Sequence, residues 1–227
     1  MTTHVALLGH PVSHSLSPRM QNAAFAACGL DWHYSAFDVT DVKDAIGALR
    51  TLGFAGANVT IPHKRAAADA SDEADGESVN TLLFRDGRTL GFNTDREILA
   101  GIDAKVACVI GAGGAAAALM PALPADARVY SRGGNWPPRA EGCDLIVNAT
   151  PVRDELLVQP QPGQTVVDLA YGPDETALVA AARAAGCPVV DGREALVRQG
   201  AASFRLWTGR EPPVDVMRAA VALGLSG

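Results

Sequence analysis

The stretch "VIGAGGAA", Val109 to Ala116, joins an apolar strand pattern to an Ala-rich helix pattern through a turn of three glycines. It lies inside "KVACVIGAGGAAAALMPAL" (105–123). Gly111 permits the tight turn, Gly113 lets backbone come close to a pyrophosphate, and a small residue at Ala116 allows close helix–strand packing. Free amides at the positive helix end then favour a phosphate. A packing turn would use the same small residues, but strand, turn and helix in this order point to dinucleotide binding. Gly111, Gly113, Gly114 and Ala115 are the candidate phosphate residues. The ribose-binding acid expected about 20 residues further on is missing. The next strand ends instead in Ser131-Arg132, and an arginine there suits a 2′-phosphate, favouring NADP over NAD.

Working outward, "ARVYS" (127–131), "DLIVNAT" (144–150), "TVVDLA" (165–170) and "PVVDG" (188–192) read as further strands, with a helix over 174–186. Strands this apolar, spaced by helices, predict a parallel sheet covered on both faces. Between Arg132 and Asp144 stand only 11 residues, "GGNWPPRAEGC", with paired glycines and paired prolines. No helix fits there, so this Rossmann-like sheet is expected to lack one βα unit.

The first 93 residues form another alternating unit. Strands are expected at 5–9, 33–39 and 56–61, with helices at 18–29 and 41–53. Ser17 is the expected cap of the first helix, and Thr40 or Asp41 that of the second. Residues 79–93 read as a hairpin turning at Asp86-Gly87, followed by a helix over 94–102. Two helical stretches, 193–209 and 212–225, close the sequence.

Composition narrows the function. The 227 residues are 48% hydrophobic and 19% charged, with a net charge of −6 and no basic stripe, which speaks against nucleic acid or an anionic membrane as partner. The sequence reaches His10 and Pro11 before any long apolar run, so neither a signal peptide nor a transmembrane helix is expected. Four well-separated cysteines suit free thiols in a reducing cytoplasm. His10 and His14 are split by Pro11, which disfavours a helical metal pair, and no metal is expected.

Polar residues gather at the strand ends of the first unit. Ser15 and Ser17 follow the first strand, Thr60 and Lys64 the third, Asn80 starts a strand and Asp95 a helix. Ligands in open α/β sheets bind beyond the carboxyl ends of the strands, and Lys64 with Asp95 makes a candidate acid–base pair.

Eight ordered segments carry a family resemblance: "GHPVSHSLSPRMQNAAF", "GANVTIPHK", "SVNT", "GFNTD", "VIGAGGAA", "NATP", "DLAYGP" and "QGAASFRLWTG". Together they resemble the shikimate dehydrogenases, which reduce 3-dehydroshikimate with NADPH and have relatives acting on quinate. The resemblance implies that Ser15 and Ser17 bind the substrate carboxylate. It implies that Thr60, Asn80 and Gln199 meet the ring and its hydroxyls, that Tyr171 lines the cleft, and that Lys64 and Asp95 are catalytic. On the cofactor side it implies Gly111, Gly113, Gly114, Ala115, Ser131, Arg132, Asn148 and Thr150. The fold implied is two-domain α/β. A substrate domain (1–97), completed by 194–227, and a Rossmann-like NADP domain (98–193) flank a cleft. Partners are then a small-molecule substrate alone, with monomer and homodimer both open.

This sequence departs from the family pattern in four places. Arg96 replaces the usual glycine after Asn-Thr-Asp, so its charge or bulk is expected to bear on Asp95. Ser131-Arg132-Gly133 keeps only the arginine of the phosphate motif. Val152-Arg153-Asp154 replaces Gly-Met after "NATP". The fourth departure is the shortened sheet. Two readings follow, an NADP-dependent dehydrogenase of shikimate or a close analogue, and a ligand-binding or regulatory relative with weak or no dehydrogenase activity.

Overall fold

The computed structural model describes residues 1–223. The chain divides into two compact units, one from Met1 to Glu97 joined by the chain from Val197, the other from Ile98 to Leu196.

In the first unit the order is β1 (Thr3–Gly9), α1 (Ser17–Ala27), β2 (Trp32–Asp38), α2 (Val42–Thr51), β3 (Gly56–Val59), α3 (Lys64–Asp69), β4 (Glu73–Ala74), β5 (Thr81–Arg85) and β6 (Arg88–Phe92). The sheet order is β2-β1-β3-β5-β6-β4. β1 pairs parallel with β2 and β3, while β5 runs antiparallel to β3 and β6. Ala6, Leu8, Ala57, Val59 and Leu82 from the strands pack with Val42, Ile46 and Leu49 of α2. Those three residues recur at the helical period, which is why α2 holds one face against the sheet. Asp41 is its cap, accepting the amides of Lys43 and Asp44.

Several local expectations are corrected. α1 starts at Ser17 itself, and the Ser15 hydroxyl accepts the Ser17 amide at 3.2 Å. Pro18 fixes the first turn without needing a Ser17 cap. β3 stops at Val59, because Pro62 has no amide for a ladder. The Ala-rich residues after it form the short α3. The expected helix at 94–102 is a 3-10 turn over Thr94–Leu99, ended by Gly101 at φ 77. The hairpin turns as expected, with Asp86 and Gly87 both at positive φ and Arg85 opposite Arg88.

The second unit contains β7 (Val106–Ile110), α4 (Gly114–Leu119), β8 (Asp126–Tyr130), β9 (Leu145–Asn148), β10 (Thr165–Asp168), α5 (Ala177–Ala184) and β11 (Val189–Val190). Its five-stranded sheet has the order β11-β10-β9-β7-β8, all parallel. A doubly wound sheet places a further strand outside the second one; here β8 is the edge. The missing βα unit is the one that the 11 residues after Arg132 have no room for. Residues alternate between faces. Ala107, Val109, Leu145 and Val147 pack with Ala116 and Leu119, while Cys108, Ile110 and Ile146 pack with Leu178 and Ala182 of α5. Ala140, Cys143 and Leu157, all on helix-free connections, also cover this second face.

The last helices are α6 (Gly192–Thr208) and α7 (Val214–Leu223). The end of the expected 212–225 helix lies outside the described residues. α6 is locked onto the first sheet where the Trp207 indole donates to Leu82 O at 2.9 Å. A Cβ on Gly56 would come within 2.5 Å of that indole nitrogen, so only glycine lets the ring lie on β3.

Candidate active site

The topology of the first sheet decides what meets at one edge. β1 and β3 are parallel neighbours, with Leu8 opposite Val59, so the loops carrying Ser15, Ser17, Thr60 and Lys64 leave from the same side. β5 is antiparallel to β3, and β6 returns antiparallel to β5, with Thr81 opposite both Asn58 and Phe92. The start of β5, at Asn80, and the end of β6, leading to Asp95, therefore share that edge.

There Lys64, the first residue of α3, donates from Nζ to Asp95 Oδ2 at 2.5 Å. The two side chains are 18% and 13% exposed, dry enough to strengthen the pair yet open to a ligand. Asn80 Nδ2 donates to the other carboxylate oxygen, Oδ1, at 2.8 Å, and stands 3.4 Å from Gln199 Oε1. Asn80 Oδ1 accepts the Thr94 amide at 2.7 Å. A charge-assisted network thus fixes the acid from two sides.

Beneath lies a buried polar cluster that sequence reasoning missed. Asn58 Nδ2 donates to Asn80 O (3.0 Å), and lies 2.9 Å from both Thr81 Oγ1 and Ser203 Oγ. Its Oδ1 accepts the Tyr34 phenol at 2.8 Å. Tyr34 is fully buried, and burial drives its phenol far above the ordinary range, so it stays a neutral donor. Ser17, buried at the start of α1, lies near the same phenol. The available signal was Asn58 itself, an amide inside an otherwise apolar strand.

Ser15 and Thr60 are half-buried on the loops leaving β1 and β3. Arg96 turns away from Asp95, contrary to the sequence expectation. Its Nη2 donates to Asp75 Oδ2 at 2.7 Å and its Nε to Asn93 O at 2.9 Å. Among the described residues no group of three His, Cys, Asp or Glu is placed to hold a metal ion. Among them, too, no helix is long and apolar enough to cross a membrane.

The other expected residues belong to the second unit. Tyr171 follows β10, lining a cavity of about 140 Å³ with Gly172, Asp174 and Arg193. Burial raises its phenol. Gly111 has φ 107, and a Cβ there would press on the Ala149 backbone at 3.1 Å. Side chains built on Gly113 and Gly114 would meet only open space. The turn is therefore uncovered, and its residues, with Ala115 after them, fit a pyrophosphate. Ser131 and Arg132 follow β8 at the sheet edge. The Arg132 guanidinium lies 5.6 Å from the Trp136 ring centre and donates to Glu155 Oε2 at 3.2 Å. Asn148 is fully buried. It donates to Asp168 Oδ1 and Val152 O, and accepts from the Thr150 amide and hydroxyl, so its side chain is spent on shaping the turn. The Thr150 hydroxyl is committed to the same turn.

Comparison with known proteins finds relatives over nearly the whole chain. Residues 7–81 match the family description "Shikimate dehydrogenase substrate binding domain", and residues 192–222 match "Shikimate 5'-dehydrogenase C-terminal domain". The chain is 42% identical to the shikimate dehydrogenase (NADP(+)) of Moorella thermoacetica over 94% of this chain and 90% of that one. That alignment runs over 266 residues, longer than the 227 residues here, so the relative carries segments that face gaps. A shikimate 5-dehydrogenase from Thermus thermophilus, solved with NADP(H) and shikimate, superposes with a TM-score of 0.86 at 33% identity over 99% of this chain and 100% of that one. A quinate dehydrogenase from Corynebacterium glutamicum, solved with NAD, superposes at 0.83 with 27% identity over 96% and 98%. The two units, the ordered motifs and this likeness over nearly the whole length place the chain in the shikimate dehydrogenase family.

Proposed function

We propose that this chain is an NADP-dependent shikimate dehydrogenase, interconverting 3-dehydroshikimate and shikimate or a closely similar cyclic polyhydroxy acid. The observation that carries the reading is the Lys64–Asp95 pair, held by Asn80 at a sheet edge where Ser15, Ser17 and Thr60 also emerge. Oxidising a ring alcohol to a ketone removes one hydride and one proton. The nicotinamide supplies the hydride chemistry when bound; the proton falls to the protein.

Lys64 is assigned to the reacting oxygen. Its ammonium carries three donors, of which Asp95 takes one. In reduction one of the others passes its proton to the carbonyl oxygen as the hydride arrives at carbon; in oxidation the neutral amine takes the proton from the alcohol as the hydride leaves. Positioned proton transfer of this kind contributes about 10²–10⁴ in rate. Asp95 keeps the lysine aimed, and Asn80 keeps Asp95 aimed. Ser15 and Ser17 are assigned to the substrate carboxylate, Thr60, Asn80 and Gln199 to the ring, and Tyr171 to the substrate. Gly111, Gly113, Gly114 and Ala115 would hold the pyrophosphate, and Ser131 with Arg132 the 2′-phosphate. Asn148 and Thr150 would shape the turn beside them. The stretches 1–97 with 194–227, and 98–193, are read as substrate and cofactor domains. Free cysteines support a reducing, cytoplasmic setting.

The shortened sheet favours a second reading, a ligand-binding relative with weak turnover, because β8 is an edge and Arg132 is already engaged. An NADP-linked assay with shikimate and quinate separates the two. Steady turnover of either acid supports the enzyme. Calorimetric binding of the acid without cofactor reduction would support the second reading.

A further inference from the structure

Asp75 and Arg96 meet beside the catalytic turn in an arrangement that none of the assigned roles uses. β4 pairs with β6, Ala74 opposite Gly91, which sets Asp75 alongside the end of β6. The Asp75 amide donates to Gly91 O at 3.0 Å. Asp75 Oδ1 accepts the Asn93 amide at 2.8 Å, and Oδ2 accepts Arg96 Nη2 at 2.7 Å. Arg96 Nε closes the ring on Asn93 O at 2.9 Å. Both backbone groups of Asn93 are thus gripped by one ion pair. The Asn93 side chain in turn accepts the Asp95 amide at 3.1 Å, and Asn93 is only 6% exposed.

We propose that Asp75 and Arg96 are positioning residues, a brace that sets Asp95 against Lys64 through Asn93. The inference rests on the reading of Lys64 and Asp95 as the catalytic pair. The brace acts on Asp95 through Asn93, because the ring fixes both backbone groups of Asn93 and the Asn93 side chain accepts the Asp95 amide. Small displacements of a catalytic group cost rate steeply, because its bond to the reacting atoms is directional. An arginine does this more fully than a lysine, which can keep the ion pair alone, since the planar fork serves the carboxylate and the carbonyl together.

The test compares Arg96→Ala, Asp75→Asn, the double variant and Arg96→Lys with the parent protein, using NADP-linked kinetics and amide hydrogen exchange. Each single variant should lower kcat by on the order of tenfold with KM within about twofold, the pattern of a misplaced group and not of lost binding. The double variant should lose no more than either single one, because the two residues act as a unit. Arg96→Lys should recover part of kcat. The Asn93 and Asp95 amides should exchange faster in Arg96→Ala, whatever the reaction. Unchanged kcat in both single variants, multiplying losses in the double variant, or unchanged exchange would each overturn the brace. Asp95→Asn separates the failures. If it keeps full turnover, the catalytic reading falls and the proposal with it. If it loses turnover while Arg96→Ala loses none, the brace alone is wrong.

Discussion

Replacing Asn80 by Ala removes a side chain that joins Asp95 to the fold. Asn80 is 3% exposed, so water does not readily replace what is lost. Its Oδ1 accepts the Thr94 amide at 2.7 Å and the Thr94 hydroxyl at 3.0 Å, and its Nδ2 donates to Asp95 Oδ1 at 2.8 Å. A buried donor left without a partner costs about 1–3 kcal/mol, and a bond to a charged group is worth about 1.5–3 kcal/mol. Asp95 is open enough for water to recover part of the second contribution. The expected loss is therefore about 2–4 kcal/mol. With a urea slope of about 1–3 kcal/mol per M, the midpoint should fall by on the order of 1–2 M at unchanged slope. Asn80→Asp keeps an acceptor for Thr94 but faces Asp95 with a like charge. It should also lose stability near neutrality and recover as the pH falls. Urea unfolding followed by tryptophan fluorescence measures both. An Asn80→Ala variant within about 0.5 kcal/mol of the parent, the range of an ordinary surface substitution, would refute the network as drawn.

Cofactor selectivity should depend on Arg132 and its neighbour. Calorimetry should show NADP binding more tightly than NAD, with a dissociation constant of tens of micromolar or weaker, about −6 kcal/mol, because the sheet edge leaves the adenine poorly walled. Arg132→Ala should lose about 1.5–3 kcal/mol with NADP and almost nothing with NAD. Glu155→Gln should gain up to about 1 kcal/mol with NADP, the scale of an exposed ion pair; equal affinity of the parent for both cofactors would contradict the assignment. Asp168 gives a pH test. Burial raises its carboxyl above the usual range despite bonds from Thr176, Ala170 and Asn148. A raised folded value means that its contribution to stability is full below the unfolded value, about 3.9, and is lost as pH rises through the folded one. The advantage of the parent over Asp168→Asn in thermal unfolding should thus be largest in acid and shrink toward neutrality. A difference flat with pH would contradict burial as the cause.

Much of this was legible in the sequence because local chemistry fixed it. The glycine turn at 111–114, the Asp86-Gly87 hairpin and the Asp41 cap each follow from residues that few other conformations accommodate. The missing βα unit was legible as a length. What was not legible depends on tertiary pairing. Arg96 looked like a cation beside Asp95, and only the pairing of β4 with β6 brings Asp75 near enough to take it. Asn148 carried a cofactor expectation; that its side-chain bonds are internal depends on the buried Asp168 of the neighbouring strand, which claims its amide. Tyr34 lies outside the ordered motifs, and Ser203, inside the last of them, is far in sequence from the Asn58 and Thr81 it meets. Neither shows a local pattern that announces a polar cluster under the site.

In the proposed reaction Lys64 moves the proton. Turnover of Lys64→Ala with shikimate and NADP tests it most directly. A fall in kcat of about two to four decades is expected, with KM changed far less, because Ser15, Ser17, Thr60 and Asn80, the residues proposed to hold the substrate, are unchanged. Parent-level turnover in that variant would contradict it.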